Sequence, residues 1–282
     1  MQKIKLISDS TCDLSKDLLD KHQIDIVPLF VNFKEDSYLD GVTLTVPEMY
    51  KKVDELGFLP KTAAASPGSF VEVFEKYVEE GYEIIYFGIG AGFSGTLQSA
   101  NSAKQIVGSN QIHLIDSANL SSGSGLLMLK AAKFIQEGDD CLTIIDKINT
   151  LIPKVRTQFV INTMDYLYKG GRCSGMAAIA GTILKIKPII KVVNGAMTVG
   201  KKPRGRIEVG IDVLIEELMN QIDDVDEDYL MITHSMADES ARYIKNKLNG
   251  NLPIKNIYET NAGCVISSHC GQGCIGILYI MK

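Results

Sequence analysis

Ser94 follows a run of spaced glycines, Gly88, Gly90 and Gly92, and stands directly before Gly95 and Thr96. Two hydroxyls beside a flexible turn that opens a helix can hydrogen-bond a small anionic group, because helix starts present unpaired N–H donors. A serine after a glycine turn also invites a nucleophile reading. The G-x-S-x-G elbow needs glycine two residues before and two after the serine. Gly92 meets the first requirement, and Thr96 stands where the second glycine should be. A hydrolase or lipid-type esterase would use Ser94 with His269 as base and Asp9 or Asp116 as orienter. Donors to a bound carboxylate need no base, so Ser94 and Thr96 suit that role better. The residues alone reach as far as an anionic group.

Three further constellations carry chemistry. Thr62 and Ser66 flank Ala63, Ala64 and Ala65, small residues that let a ligand approach closely. Lys169-Gly170-Gly171-Arg172 reads first as a helix C-terminus, with lysine in the last turn and Gly170 ending it. That leaves Gly171 and Arg172 unexplained, and a guanidinium presented after glycines suits a carboxylate, a phosphate or a phosphate-handling partner. Ser267-Ser268-His269 reads as a polar turn before Gly271-Gln272-Gly273, with His269 as a ligand hydrogen bond rather than a base. Cys264, Cys270 and Cys274 with His269 could ligate zinc. They lack a close Cys-x2-Cys pair and lie in an apolar run, so they read as core cysteines and no metal is expected. No GxxxxGK[ST] or GxGxxG motif is present, which disfavours P-loop and dinucleotide sites.

The elements that position these residues alternate strand and helix. A first strand over residues 3–8 ends at Asp9-Ser10, and a later one at 112–115 ends at Asp116-Ser117. The shared ending places two loops, with Ser10 and Ser117, at one sheet edge. Asp13 or Thr11 is expected to cap a helix over 14–22. The apolar run 24–33 is split by Pro28 and so changes direction or forms an edge. Ser66 caps a helix whose first residue is Pro67. The buried strand 84–87 leads into the Gly-Ser turn and a helix from Leu97, and a Leu-, Met- and Ala-rich helix spans 123–136. This pattern gives an α/β/α three-layer domain with a largely parallel sheet, whose ligands sit at strand carboxyl ends. Residues 9–11, 62–66, 92–96 and 116–122 fall in that class. A boundary near Pro153 divides the chain into 1–155 and 156–282. The second part reads as α/β with a mixed sheet, because Asn194-Gly195 predicts a hairpin. Helices are expected over 175–184, 207–221 and 237–248, and the last strand over 275–281.

With 282 residues, 45% hydrophobic and 22% charged, the chain can bury a substantial core. No apolar run reaches membrane-spanning length, and the first residues lack a signal-peptide pattern, so a cytoplasmic location is expected. The net charge of −5 argues against a general nucleic-acid binder. Between Lys154 and Arg206 stand eleven Lys or Arg and one acid, Asp165, whereas 223–228 holds five acids in six residues. The basic stretch, with Arg204 and Arg206 near its end, reads as a positive surface with a specific use.

Together, ISDSTCDLS at the start, 62–70, FSGTLQSANSA, LIDS at 114–117, YLYKGGRCS, LKIKPII, NGAMTVGKKPRGR and AGCVISSHCGQGCIGI resemble the DegV family of bacterial fatty-acid-binding proteins. The resemblance spans nearly the whole chain. It implies two α/β domains with a long-chain fatty acid, such as palmitate, stearate or oleate, in an apolar tunnel between them. It implies that Thr62, Ser94 and His269 meet the carboxylate, with Ser66, Gly95, Thr96, Ser10, Ser117 and Ser268 in support. It implies a binding subunit, not itself an enzyme and without a cofactor, that presents its acid to a separate ATP-binding fatty acid kinase subunit. That subunit makes acyl-phosphate for phospholipid synthesis. Arg172, Arg204 and Arg206 would then face the partner or the phosphoryl group, with at most transient membrane contact. This chain departs from the family at Thr62-Ala-Ala-Ala-Ser66, where Thr-Ser-Gln-Pro-Ser is common. The stiffening proline and any glutamine contact are absent.

Overall fold

The structure is a computed structural model and describes residues 2–173, 186–248 and 252–282. The helix expected over 175–184 lies outside these. Four parallel strands form one sheet in the order β2 (Asp25–Val27), β1 (Ile4–Asp9), β6 (Glu83–Gly88), β7 (Ile112–Asp116). Pro28 and Leu29 separate β2 from β3 (Phe30–Phe33), which leaves that sheet and pairs antiparallel with β4 (Asp36–Leu39) and β5 (Lys61–Ala63). The change of direction at Pro28 was legible. A six-stranded mixed sheet has the order β10 (Ala196–Val199), β9 (Ile189–Val193), β8 (Val155–Val160), β13 (Ile275–Met281), β11 (Val225–His234), β12 (Asn256–Asn261). Its β9–β10 hairpin turns at Asn194-Gly195, both at positive φ, as the Asn-Gly dipeptide requires.

Strand alternation explains the layering, since successive side chains point to opposite faces. On β6, Ile84 and Tyr86 face α3 (Pro67–Glu79) and α4 (Thr96–Val107), through Phe70, Phe74, Ala100 and Ala103. Ile85 and Phe87 face α5 (Ser122–Glu137) and α6 (Cys141–Leu151). On β13, Leu278 and Ile280 reach that same α5–α6 cluster. Ile275, Ile277 and Tyr279 point away from it, onto α8 (Ile207–Met219) and α9 (Asp238–Leu248). Helix α5 is therefore packed between the two sheets, and every residue from Ser122 to Ala132 is buried. Lys130 is buried within it because Asp226 and Asp228 accept from its Nζ at 2.8 and 2.7 Å.

Two local expectations are corrected. The helix after β1 is α1 (Lys16–Lys21), preceded by a 3-10 turn at Ser10–Cys12, and Ser15 rather than Asp13 or Thr11 caps it. Cys264–Cys270 forms a helix, α10, so Ser267, Ser268 and His269 are helical and not in a turn.

Candidate functional site

A cavity of about 180 Å³ draws its walls from β5 of the three-stranded sheet, from the six-stranded sheet and from the loop after β6. Ile89, Phe93, Leu120, Phe159, Leu167 and Met197 supply apolar surface. Thr62, Ser94, Gly95, Arg172 and His269 supply the polar and charged groups expected from the sequence, and all five line this one cavity. His234, Cys270 and Cys274 line it as well.

Thr62 lies on β5, paired with Val31 of β3, and so comes from the antiparallel sheet rather than the carboxyl edge of the parallel one. Its hydroxyl stands 2.9 Å from His269 Nε2. Among the described residues, His269 Nδ1 is buried without a hydrogen-bond partner. A proton on Nδ1 would be an orphaned buried N–H, the rarest unsatisfied group in folded proteins. The favoured tautomer therefore carries its proton on Nε2 and donates to Thr62 Oγ1, which frees the threonine proton for another acceptor. Burial, and then the Arg172 guanidinium nearby, push the imidazole down to about 4, so it is neutral at pH 7.

The approach of His269 depends on α7 (Asp165–Gly170). A Cβ on Gly170 would lie 2.5 Å from His269 Nδ1. The left-handed helix cap is Gly171, at φ 68°. The two glycines thus exchange the roles read from the sequence: Gly171 ends the helix and Gly170 admits the imidazole. Arg172, exposed at the helix end, donates from Nη1 to Gly170 O at 2.7 Å.

Helix α10 holds His269 and is itself held from afar. Asp13 Oδ1 accepts from Gly263 N at 2.8 Å, and Asp40 Oδ1 accepts from Cys264 N at 2.7 Å. Ser121 Oγ donates to Asp13 at 2.5 Å and Ser10 Oγ to Asp40 at 2.9 Å. Burial raises both carboxyls above the usual range, more strongly for Asp13. Asp13 was read only as a local cap and Asp40 was not singled out, because each caps a helix more than two hundred residues away.

Helix α4 starts at Thr96 with Gly95 as its N-cap. Ser94 Oγ lies 2.8 Å from Thr96 Oγ1 and accepts from Thr96 N at 3.3 Å. The histidine bond that a serine nucleophile would need is instead made to Thr62. The remaining expected residues support elements and do not line the cavity. Ser66 caps α3, Ser117 Oγ accepts from Asn119 N, and Ser268 Oγ donates to Val265 O. Ser10 accepts from Leu29 N in addition to serving Asp40. Arg204 and Arg206 are exposed and away from the cavity. The basic stretch is partly neutralised, since Lys191 and Lys201 both pair with Glu217. The zinc grouping is not formed: Cys264 Sγ donates to Leu44 O while His269 binds Thr62.

An α/β fold with one parallel and one mixed sheet thus carries an apolar cavity edged by a neutral histidine–threonine pair. Residues 3–282 match the family model described as "Uncharacterised protein, DegV family". A DegV domain-containing protein of Clostridium acetobutylicum is 35% identical, with 100% of each chain covered. A fatty-acid-binding DegV family protein from Thermus thermophilus superposes with TM-score 0.92 at 26% identity, covering 100% of both chains. A stearic acid-binding protein from Eubacterium ventriosum superposes with TM-score 0.87 at 31% identity, covering 100% of this chain and 99% of its own. The chain belongs to the DegV family. Among the described residues, no helix is long and apolar enough to cross a membrane.

Proposed function

We propose that this protein binds a long-chain fatty acid in the cavity and presents its carboxylate to a separate ATP-binding kinase subunit for conversion to acyl-phosphate. The observation that carries the reading is one apolar cavity edged by Thr62, Ser94 and a neutral His269. Each buried methylene is worth about 0.8 kcal/mol, so a long acyl chain gains on the order of 10 kcal/mol before entropy costs. Burying a carboxylate would cancel much of that unless it is hydrogen-bonded. Thr62, which accepts from His269, has its own proton to give. Ser94 has the same freedom when Thr96 donates to it. His269 thus holds a donor in place and does not act as a base. Arg172 adds positive charge to the same cavity, where a carboxylate or a developing phosphoryl group would sit. Arg204 and Arg206 lie where a partner surface could meet them. The fatty-acid binding of the Thermus thermophilus and Eubacterium ventriosum proteins supports the ligand half of this reading.

The test is mass spectrometry of an organic extract of native protein. A stoichiometric long-chain acid is expected, and Ser94→Ala should lower affinity about tenfold, the loss of one hydrogen bond to a charged group. Mixing loaded protein with ATP and a fatty acid kinase subunit should yield acyl-phosphate, with less from an Arg204→Ala/Arg206→Ala variant. An empty extract, with no thermal stabilisation by palmitate, stearate or oleate, overturns the reading. Covalent labelling of Ser94 by a phosphonate would favour the hydrolase instead.

A further inference from the structure

Far from the cavity, three donors of different chemistry converge at the amino edge of the parallel sheet. Glu83 opens β6, His113 is the second residue of β7, and Cys141 is the first residue of α6. Their ligand atoms, a carboxylate oxygen, an imidazole nitrogen and a thiol sulfur, all lie within 4.8 Å of one another. None of the three lines the cavity. We propose that Glu83, His113 and Cys141 form a binding site for one borderline divalent cation of the zinc class, completed by solvent.

The donor set selects the ion. A thiolate and an imidazole favour zinc-like cations over magnesium or calcium, which prefer all-oxygen shells. Three protein ligands and an open position is a normal zinc arrangement. Glu83 Oε2 and His113 Nε2 are 2.9 Å apart, with each side chain about a quarter exposed (24% and 23%), so water can complete the shell. Cys141 is buried, and its position is fixed from behind by Gln2 Oε1, which accepts from Cys141 N at 2.9 Å. Two negative ligands balance the divalent charge. Binding releases the thiol proton to solvent. A second grouping, His234, Asp238 and Glu259, has the same compactness but its donors are committed. His234 Nδ1 accepts from Ala237 N, which leaves Nε2 protonated toward Glu259, and Lys245 also holds Glu259. Among the described residues, the ion pair of Glu83 is with His113 alone.

An occupied site would clip α6 to the strands β6 and β7. The test is titration of chelator-treated full-length protein with Co²⁺, followed by Zn²⁺ competition. One saturable equivalent is expected, with a thiolate-to-cobalt charge-transfer band that Zn²⁺ abolishes and a rise in Tm. Cys141→Ser should remove the band. His113→Ala and Glu83→Gln should weaken binding by about tenfold or more, with fatty-acid content unchanged in all three as the check on folding. Absence of saturable binding, or a band that survives Cys141→Ser, overturns the site. Binding lost in His234→Ala but kept in His113→Ala moves the ion to the other grouping and overturns it equally.

Discussion

At the scale of single residues, His269 decides most. Its imidazole is pushed down to about 4 in the folded protein, against an unfolded value near 6.5. Between those values the unfolded chain holds a proton that the folded chain refuses, so stability is highest above about pH 6.5 and falls as pH drops toward about 4. The loss attributable to this group is on the order of 3 kcal/mol. Urea melts of ligand-free protein across that window should show a steeper acid loss for wild type than for His269→Gln; equal slopes would refute the assignment. The glycine pair before Arg172 gives a second contrast. Gly170→Ala ordinarily favours a helix, but here its methyl meets His269 Nδ1, so acyl affinity should fall while α7 stays helical. Gly171→Ala strains a left-handed cap that has open space around it, which should cost about 1 kcal/mol of stability and leave affinity unchanged. Calorimetry with oleate on both variants separates the two roles.

At the scale of elements, α10 is the piece whose placement matters and whose existence the sequence concealed. A run of Cys, Val, Ile, Ser, Ser, His and Cys has no serine, aspartate or asparagine at the cap position, which Gly263 occupies. The missing cap is supplied by Asp13 and Asp40 across the tertiary fold, and no local rule could find it. The elements whose signals are local were legible: the Asn-Gly hairpin, Pro67 opening α3, and the buried apolar run of β6. Thr62, Ser94, Arg172 and His269 were also legible as polar residues in unusual contexts, and the cavity does bring them together. Their pairing was not, because it depends on β5, which is three residues long and, among the described residues, pairs only with β3. Asp40→Ala leaves the Cys264 N–H without its acceptor in a buried place, which should cost about 1 to 3 kcal/mol. Because α10 carries His269, acyl affinity should fall with it. Denaturant unfolding and oleate titration of the same variant check both; a stable variant with intact affinity would show that α10 needs no tether.

At the scale of the whole molecule, the two large sheets share one hydrophobic cluster through α5, which joins Leu6 and Ile85 on one side to Met231 and Leu278 on the other. The Lys130 network ties the same helix to β11, and it draws the Asp228 carboxyl below the usual range despite its burial. A shared core predicts one cooperative unfolding transition, with circular dichroism and tyrosine fluorescence coincident, and a fatty acid should move both signals together. Two separated transitions, only one of them shifted by ligand, would show independently folding parts.

The Thr62–His269 bond joins positions 207 residues apart. Synthesis on the ribosome runs from one to the other, so a growing chain exposes Thr62, Ser94 and half of the apolar wall long before their counterpart exists. Until α10 and β13 have left the ribosomal tunnel, that wall is open to water and to any chaperone that recognises bare hydrocarbon. On the proposed function, a complete acyl site exists only once α10 and β13 have been made, and a chain that stops before them lacks the histidine half of that site.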